Sequence, residues 1–484
     1  MDQQNNDLKR QLNPMHVWAI AFGCIIGWGS FINPGKKFLP NSGVAGTAIA
    51  MLLGALVMVI IAFSYAYMVP KYPKAGGEFT FAKNCYGKVP AYICGWFLVA
   101  AYLTNVPMNS TAIGLIFDGI DGDADILKFG FNYSIAGFEV YLGEILVAMG
   151  VLILFGILNI IGVKKAGIVQ TVLASLLAIC ALTLCVAGIV SAKSKGINIE
   201  PVWGFDKSSA IAAKATTANI GEYAHTGTKG VLSAILATFA IAPWAFVGFD
   251  TIPQAAEEFK FSYKKVMGIM VVAIAFGCFV YISNNTVAAA ALENWPDRVM
   301  NGDWVLLIAA EELLGVYGKI LVGVGVSCAV LSGIMGFYLA SSRLMYSMSR
   351  EGYLPKMFGV IDKKYGTPKN AMIFCIAVSL TGPILGREAL GWFVDMSAIG
   401  ASVGDFFTCA ATLITLKKDK DGSLLLKIMA VVGVIFSVAF MVLQLIPIPG
   451  LNGVHFSTES YIMLAVWIIL GAVFYIRQRK TINA

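Results

Sequence analysis

The chain has 484 residues, of which 58% are hydrophobic and only 13% are Asp, Glu, Lys or Arg, about half the usual globular share of charge. Too few charges are available to coat a soluble particle of this length, so a soluble enzyme, a secreted disulfide scaffold, a disordered chain and a single-span receptor are all excluded. The net charge of +7 is scattered through short loops, so no nucleic-acid partner is expected.

The chain opens on a polar tail, residues 1–14, ending in Asn13-Pro14. No signal peptide is expected, because the apolar run after Pro14 is too long for an h-region. Twelve apolar segments come next, at about 15–39, 43–69, 88–117, 139–161, 166–190, 231–257, 264–292, 317–345, 370–384, 390–416, 426–446 and 458–476. Runs of this length in lipid must satisfy their own backbone hydrogen bonds, so the spacing predicts transmembrane helices. Loops on the side of the two termini carry 24 of the 35 Lys and Arg residues and those on the other side carry 11. That bias predicts both termini in the cytoplasm of a multi-pass cell-membrane protein. The longest external connection, 191–230, is expected to form short helices or a lid. Eight of the nine cysteines fall in apolar runs and the three histidines have no ligand spacing. No disulfide framework, metal or cofactor is therefore expected, and no enzyme.

Two segments are unlike the others. The first span contains Gly27-Trp28-Gly29-Ser30 near its middle, after Gly23. Glycine costs about 1 kcal/mol in a helix interior, so this stretch invites an unwound turn. The sixth span runs from Pro243 through Gly248 and Asp250 to Pro253. Each proline removes a backbone donor, and Asp250 is expected to cap a new half-helix. Matching interruptions five helices apart mark an inverted-repeat transporter of LeuT type, with its site at the breaks. Freed N–H groups suit a carboxylate and freed carbonyls suit an ammonium, so a zwitterionic amino acid fits both.

At these residues a family becomes visible. Ile25-Ile26-Gly27-Trp28-Gly29-Ser30-Phe31 resembles the first-span signature of the amino acid–polyamine–organocation superfamily. Further similar pieces are Pro73-Lys74-Ala75-Gly76-Gly77-Glu78-Phe79, Phe246-Val247-Gly248-Phe249-Asp250, Ala340-Ser341-Ser342-Arg343, and Asp362 to Pro368. The resemblance implies an all-α polytopic protein with a five-plus-five inverted repeat. The first repeat would be 15–190 and the second 231–416, with the last two spans and a short tail in 417–484. It implies a substrate carboxylate on the amides around Trp28, Gly29 and Ser30, and an amine on the carbonyls of Ile25, Trp244 and Val247. By the same resemblance, Asn105 and Met108 line the pocket, Phe337 is a gating or stacking aromatic, and Trp244 caps the site. Gly27, Phe246 and Gly248 complete this set. The chain departs from the pattern at Trp28, where a small hydroxyl residue is usual. It departs again in the fifth span, where Leu177 aligns with a lysine that some proton-coupled members carry.

Ionisable residues in the apolar runs are costly and tend to face cavities or partners. Asp405 in the tenth span is the candidate coupling or proton site, with a neutral hydrogen-bonded carboxyl as the other reading. Glu257 and Glu258 are expected to form ion pairs at an inner gate, which Glu78 could join. Ser327 and Ser332 are open to sodium ligation or to packing. The sequence thus predicts a secondary amino acid transporter working by alternating access, as exchanger or proton-coupled symporter. A polyamine or amine transporter of the same fold and a sodium-coupled symporter are the alternatives. Homodimer and monomer both stay open, because small-residue faces such as Gly323 and Gly325 suit either.

Overall fold

The computed structural model describes residues 8–121, 125–135, 138–195, 199–386, 389–419, 423–448 and 455–483. Residues 1–7 of the tail and 196–198 of the external connection lie outside the described residues. The helices in chain order are α1 (Pro14–Ile25), α2 (Gly29–Asn33), α3 (Leu39–Lys71), α4 (Gly77–Tyr86), α5 (Lys88–Asp121), α6 (Leu142–Ile161), α7 (Val163–Lys195), α8 (Lys207–Ala212), α9 (Gly227–Phe239) and α10 (Ala242–Phe246). They continue as α11 (Thr251–Gln254), α12 (Val266–Ala290), α13 (Trp295–Asn301), α14 (Val305–Leu314), α15 (Val316–Arg350), α16 (Lys369–Ser379), α17 (Gly382–Leu385), α18 (Ala389–Lys418), α19 (Leu424–Leu445) and α20 (Thr458–Asn483).

Among the described residues, nine helical segments are long and apolar enough to cross a membrane, and three shorter apolar ones accompany them. The short ones are Pro14–Ile25, Gly227–Phe239 and Lys369–Leu385. The first two of these belong to the spans whose glycines and prolines predicted a break. The first span starts where expected. Asn13 Oδ1 accepts the His16 N–H at 2.8 Å, with Pro14 in the first turn, the arrangement that satisfies an orphan donor at a helix start. After α2 a π-helical turn over Pro34–Phe38 joins it to α3, which is kinked at Gly43, where φ is +62°. A methyl there would collide with the Val202 carbonyl, so only glycine admits the external loop against this turn.

Outside the spans the fold is richer than the apolar pattern showed. A two-stranded antiparallel hairpin, β1 (Asn132–Ile135) with β2 (Phe138–Tyr141), precedes α6. Helices α13 and α14 cover the connection between α12 and α15, and α4 lies between α3 and α5. The long external connection holds α8, a 3-10 turn at Ile220–Tyr223 and a bridge pairing Phe205 with Ala224.

Helix α5 runs through the centre, packed between α15 and α18, while α15 also contacts α7 and α1. Peripheral helices turn large apolar side chains outward, as at Val172, Ile179 and Val186 on α7 and at Ile435, Ile462 and Ile469 on α19 and α20. Such faces suit lipid rather than water. On the face that carries the N-terminus, the tail lies across the end of the sixth span. Gln11 and Leu12 N–H both donate to Glu258 O at 2.9 Å, and Lys260 N–H donates to Leu12 O at 2.8 Å. Arg343 pairs with Glu258 at 2.7 Å and Arg350 with Glu257 at 2.8 Å, the first pair fully buried. Lys83 pairs with Glu351 beside them. Glu257 and Glu258 thus form the ion pairs with basic residues that the sequence predicts.

Candidate functional site

The first break begins where α1 ends at Ile25. Ile26 adopts φ −94° and ψ 90°, and its N–H makes the last helical bond, to Phe22 O at 2.9 Å. Gly27 and Trp28 carry the chain into α2. Among the described residues the amides of Gly27, Trp28 and Gly29 have no acceptor. Ser30 Oγ donates to Gly27 O at 3.0 Å, so this hydroxyl closes the turn. Ile25 O accepts from Tyr281 Oη on α12 at 3.3 Å. A carbonyl has two lone pairs, so Ile25 keeps one.

The second break falls after α10. Val247 is extended and Gly248 has φ +143°, a conformation that L side chains avoid. A methyl at Gly248 would lie 2.6 Å from Ile25 N and 2.7 Å from Cys24 Cβ. The two breaks are therefore in direct contact, backbone against backbone. Trp244 lies over the start of α2, where a methyl at Gly29 would collide with its Cη2 atom. The Trp28 and Trp244 rings are 6.1 Å apart at 55°, so the unusual Trp28 packs inward against its sixth-span counterpart. Trp244 O accepts from Val247 N–H at 3.2 Å. Asp250 does not cap α11, contrary to expectation. It has helical φ and ψ, and its Oδ1 accepts instead from Gly248 N–H at 2.7 Å. An N-cap needs an extended residue whose side chain turns onto the amides two or three positions ahead, and helical Asp250 cannot do this.

The other anticipated residues are all buried but point to different partners. Asn105 Nδ2 donates to Ser397 Oγ on α18 at 2.6 Å and to Ala101 O at 2.7 Å. One turn further along α5, Asn109 is the residue that faces Gly27. Met108 is buried nearby. Phe337 stacks on Tyr102 at 6.5 Å, and Phe246 meets Tyr281 edge-on at 6.3 Å. In the fifth span Leu177 is buried, but Gln170 makes the bridge between spans. Its Nε2 donates to Ala19 O and to Ser332 O, both at 3.1 Å. Ser332 Oγ donates to Gly23 O at 3.2 Å. Asn284 Nδ2 on α12 donates to Ser30 O at 3.1 Å. Asn109, Gln170, Tyr281 and Asn284 escaped the sequence reading. Only Asn109 left a trace there, as the residue four positions after Asn105 on one helical face.

Below the breaks, toward the N-terminal face, three buried carboxyls are linked through two tyrosines. Tyr65 Oη is 2.9 Å from both Glu78 Oε1 and Asp405 Oδ1. Tyr102 Oη is 3.2 Å from Glu78 Oε1 and 3.0 Å from Asp250 Oδ2. Gln254 Nε2 donates to Glu78 Oε2 at 2.5 Å. Among the described residues no lysine or arginine pairs with any of the three. Each phenol has one proton to donate. Four phenol–carboxyl contacts therefore need four protons, and the tyrosines bring two. Protons on two of the three carboxyls supply the rest, each donating to a phenol oxygen.

The sequence profile described as amino acid permease matches residues 12–474. The chain belongs to the amino acid permease family. Among curated permease relatives, it is 27% identical to the Large neutral amino acids transporter small subunit 2 of Homo sapiens over 376 residues, covering 77% of this chain and 64% of that protein. It is 24% identical to the vacuolar Cationic amino acid transporter 2 of Arabidopsis thaliana over 416 residues, 85% of this chain and 59% of that protein. Identity to the Asc-type amino acid transporter 1 of Mus musculus is 25% over 382 residues, 78% of this chain and 66% of that protein. The match thus spans less than two thirds of each of these longer relatives. As a family member the chain is a multi-pass membrane protein of the all-α class.

Proposed function

We propose that this permease is a secondary transporter that carries an amino acid across the cell membrane by alternating access. The observation that carries the reading is the contact between two helix breaks, with unpaired amides at Gly27, Trp28 and Gly29. Amides freed at the first break suit the carboxylate, and the carbonyl of Val247, unbonded among the described residues, with the spare lone pairs of Ile25 and Trp244 suits the ammonium. In this reading spans one to five and six to ten form the inverted repeats. Trp28, Ser30 and Trp244 shape the pocket, with Phe246 and Phe337 on its flanks. Both termini are cytoplasmic, in keeping with the loop charge.

Protons are the favoured coupling ion, with Asp405 as the residue that exchanges them through Tyr65 and Glu78. The proton count of the carboxyl network supports this. A sodium-coupled symporter of the same fold is the alternative reading. The relatives' printed substrates, large neutral and cationic amino acids, set the panel for the test. Counterflow in proteoliposomes loaded with one unlabelled amino acid at a time needs no driving gradient. A signal confined to a few amino acids is expected. Silence for all amino acids with a response to polyamines would transfer the protein to the amine reading.

A further inference from the structure

Between the two breaks and the eighth span sits a carboxamide with one end unused. Asn109 on α5 is 1% exposed. Its Nδ2 donates to Asn105 O at 2.8 Å, which fixes the orientation of the amide. Its Oδ1 has no partner among the described residues. The direction of that oxygen is given by Gly27, where a methyl would lie 3.6 Å from Asn109 Oδ1 and within 4 Å of nothing else. On the other side the amide rests against α15. A methyl at Gly333 would be 3.0 Å from Nδ2 and 3.1 Å from Oδ1. Glycines on both sides make room for this side chain, and the oxygen faces the non-helical stretch of the first span.

A buried acceptor left unpaired costs stability, so a donor from a ligand is its natural complement. We infer, resting on the transport reading above, that Asn109 Oδ1 accepts a hydrogen bond from the ammonium of the transported molecule. The oxygen is neutral and only accepts, so it selects an N–H donor and offers nothing to a carboxylate. The same stretch holds the opposite complement. Trp28 is 7% exposed and its indole Nε1 has no partner among the described residues. Indole nitrogen only donates, so it suits the carboxylate end. An acceptor from α5 and a donor from the first span together describe a zwitterion.

The experiment compares wild type with Asn109→Leu, which keeps the branched shape and removes the acceptor, and with Asn109→Asp, which keeps the oxygen and adds charge. Proteoliposome counterflow uses the amino acid that responds most strongly in the panel. Its deaminated counterpart, a carboxylic acid of the same carbon skeleton, serves as competitor. Asn109→Leu is expected to raise the KM of the amino acid about 10- to 100-fold, the loss of one hydrogen bond to a charged group. The inhibition constant of the deaminated compound should stay within about twofold, because it never reached residue 109. Asn109→Asp should widen the preference for the amino acid over the deaminated compound, a readout that survives if Asn109→Leu fails to fold. A KM unchanged in Asn109→Leu, an equal loss for both compounds, or an unchanged preference in Asn109→Asp would each overturn the inference alone. Wild-type protein silent toward every amino acid would overturn the amino acid reading and this inference with it.

Discussion

Asp405 shows how much one side chain can hold when its partners are counted. Tyr65 stands between it and Glu78 with a single proton to share, so the pair is consistent only if one carboxyl carries hydrogen. Asp405→Asn keeps the shape and removes the exchangeable proton. Proton-driven accumulation is expected to disappear while counterflow persists, and uptake should lose its dependence on external pH. Accumulation that still follows an imposed pH gradient in this variant would remove Asp405 from the coupling. Tyr65→Phe takes away the shared donor and is expected to lower stability by about 1–3 kcal/mol, read by thermal unfolding in detergent. Asp405 was visible in the sequence because a carboxyl inside an apolar run is rare. Its partners were not visible, since Tyr65 and Tyr102 read as ordinary aromatic residues of apolar helices. The network joins residues up to 340 positions apart, a relation that no local spacing encodes.

At the scale of elements, the breaks follow from glycine and proline chemistry, and their contact follows from Gly248. Its φ of +143° and the 2.6 Å approach to Ile25 N leave no room for a methyl. Gly248→Ala is expected to destabilise the protein by about 1–3 kcal/mol through overpacking alone, with a further penalty from the backbone. Counterflow should fall below detection. Gly150 in α6 is the control, because no atom lies within 4 Å of a methyl placed there. Gly150→Ala should stabilise by about 0.5–1 kcal/mol and leave transport unchanged. Equal behaviour of the two variants would mean that the breaks do not depend on close approach. The glycines and prolines made the broken spans legible, and apolar length made the others so. Helices α4, α13 and α14 and the β1–β2 hairpin were not, because short elements outside the bilayer lack a long apolar run. Gln170 was missed for a related reason. An uncharged residue in an apolar helix gives no sign that its amide joins two other spans.

At the scale of the molecule, the N-terminal face is held by buried charge. Arg343 has no exposed surface and its partner Glu258 has 1%. Truncating one member of such a pair strands the other, at a cost of about 3–5 kcal/mol. Arg343→Met is thus expected to lower the unfolding temperature sharply, and adding Glu258→Gln should recover most of the loss. Failure of the double variant to recover would assign the cost to packing rather than to charge. Under the proposed alternating access, Arg343 and Glu258 would have to part or to move together. Gate pairing was foreseeable because Glu257 and Glu258 end a span beside basic loops. The strap over them, with Leu12 bridged to Phe259, was not, since a polar tail carries no signal of where it docks.

The paired indoles at the two breaks have an optical consequence. Trp28 and Trp244 belong to separate half-helices, and their rings lie 6.1 Å apart. Aromatic chromophores this close, held at a fixed tilt, couple and give a near-ultraviolet circular dichroism signal that depends on their mutual angle. Any rocking of the first span relative to the sixth changes that angle. For the proposed alternating access the pair is thus a label-free spectroscopic reporter, and Trp28→Phe gives the blank against which to read it.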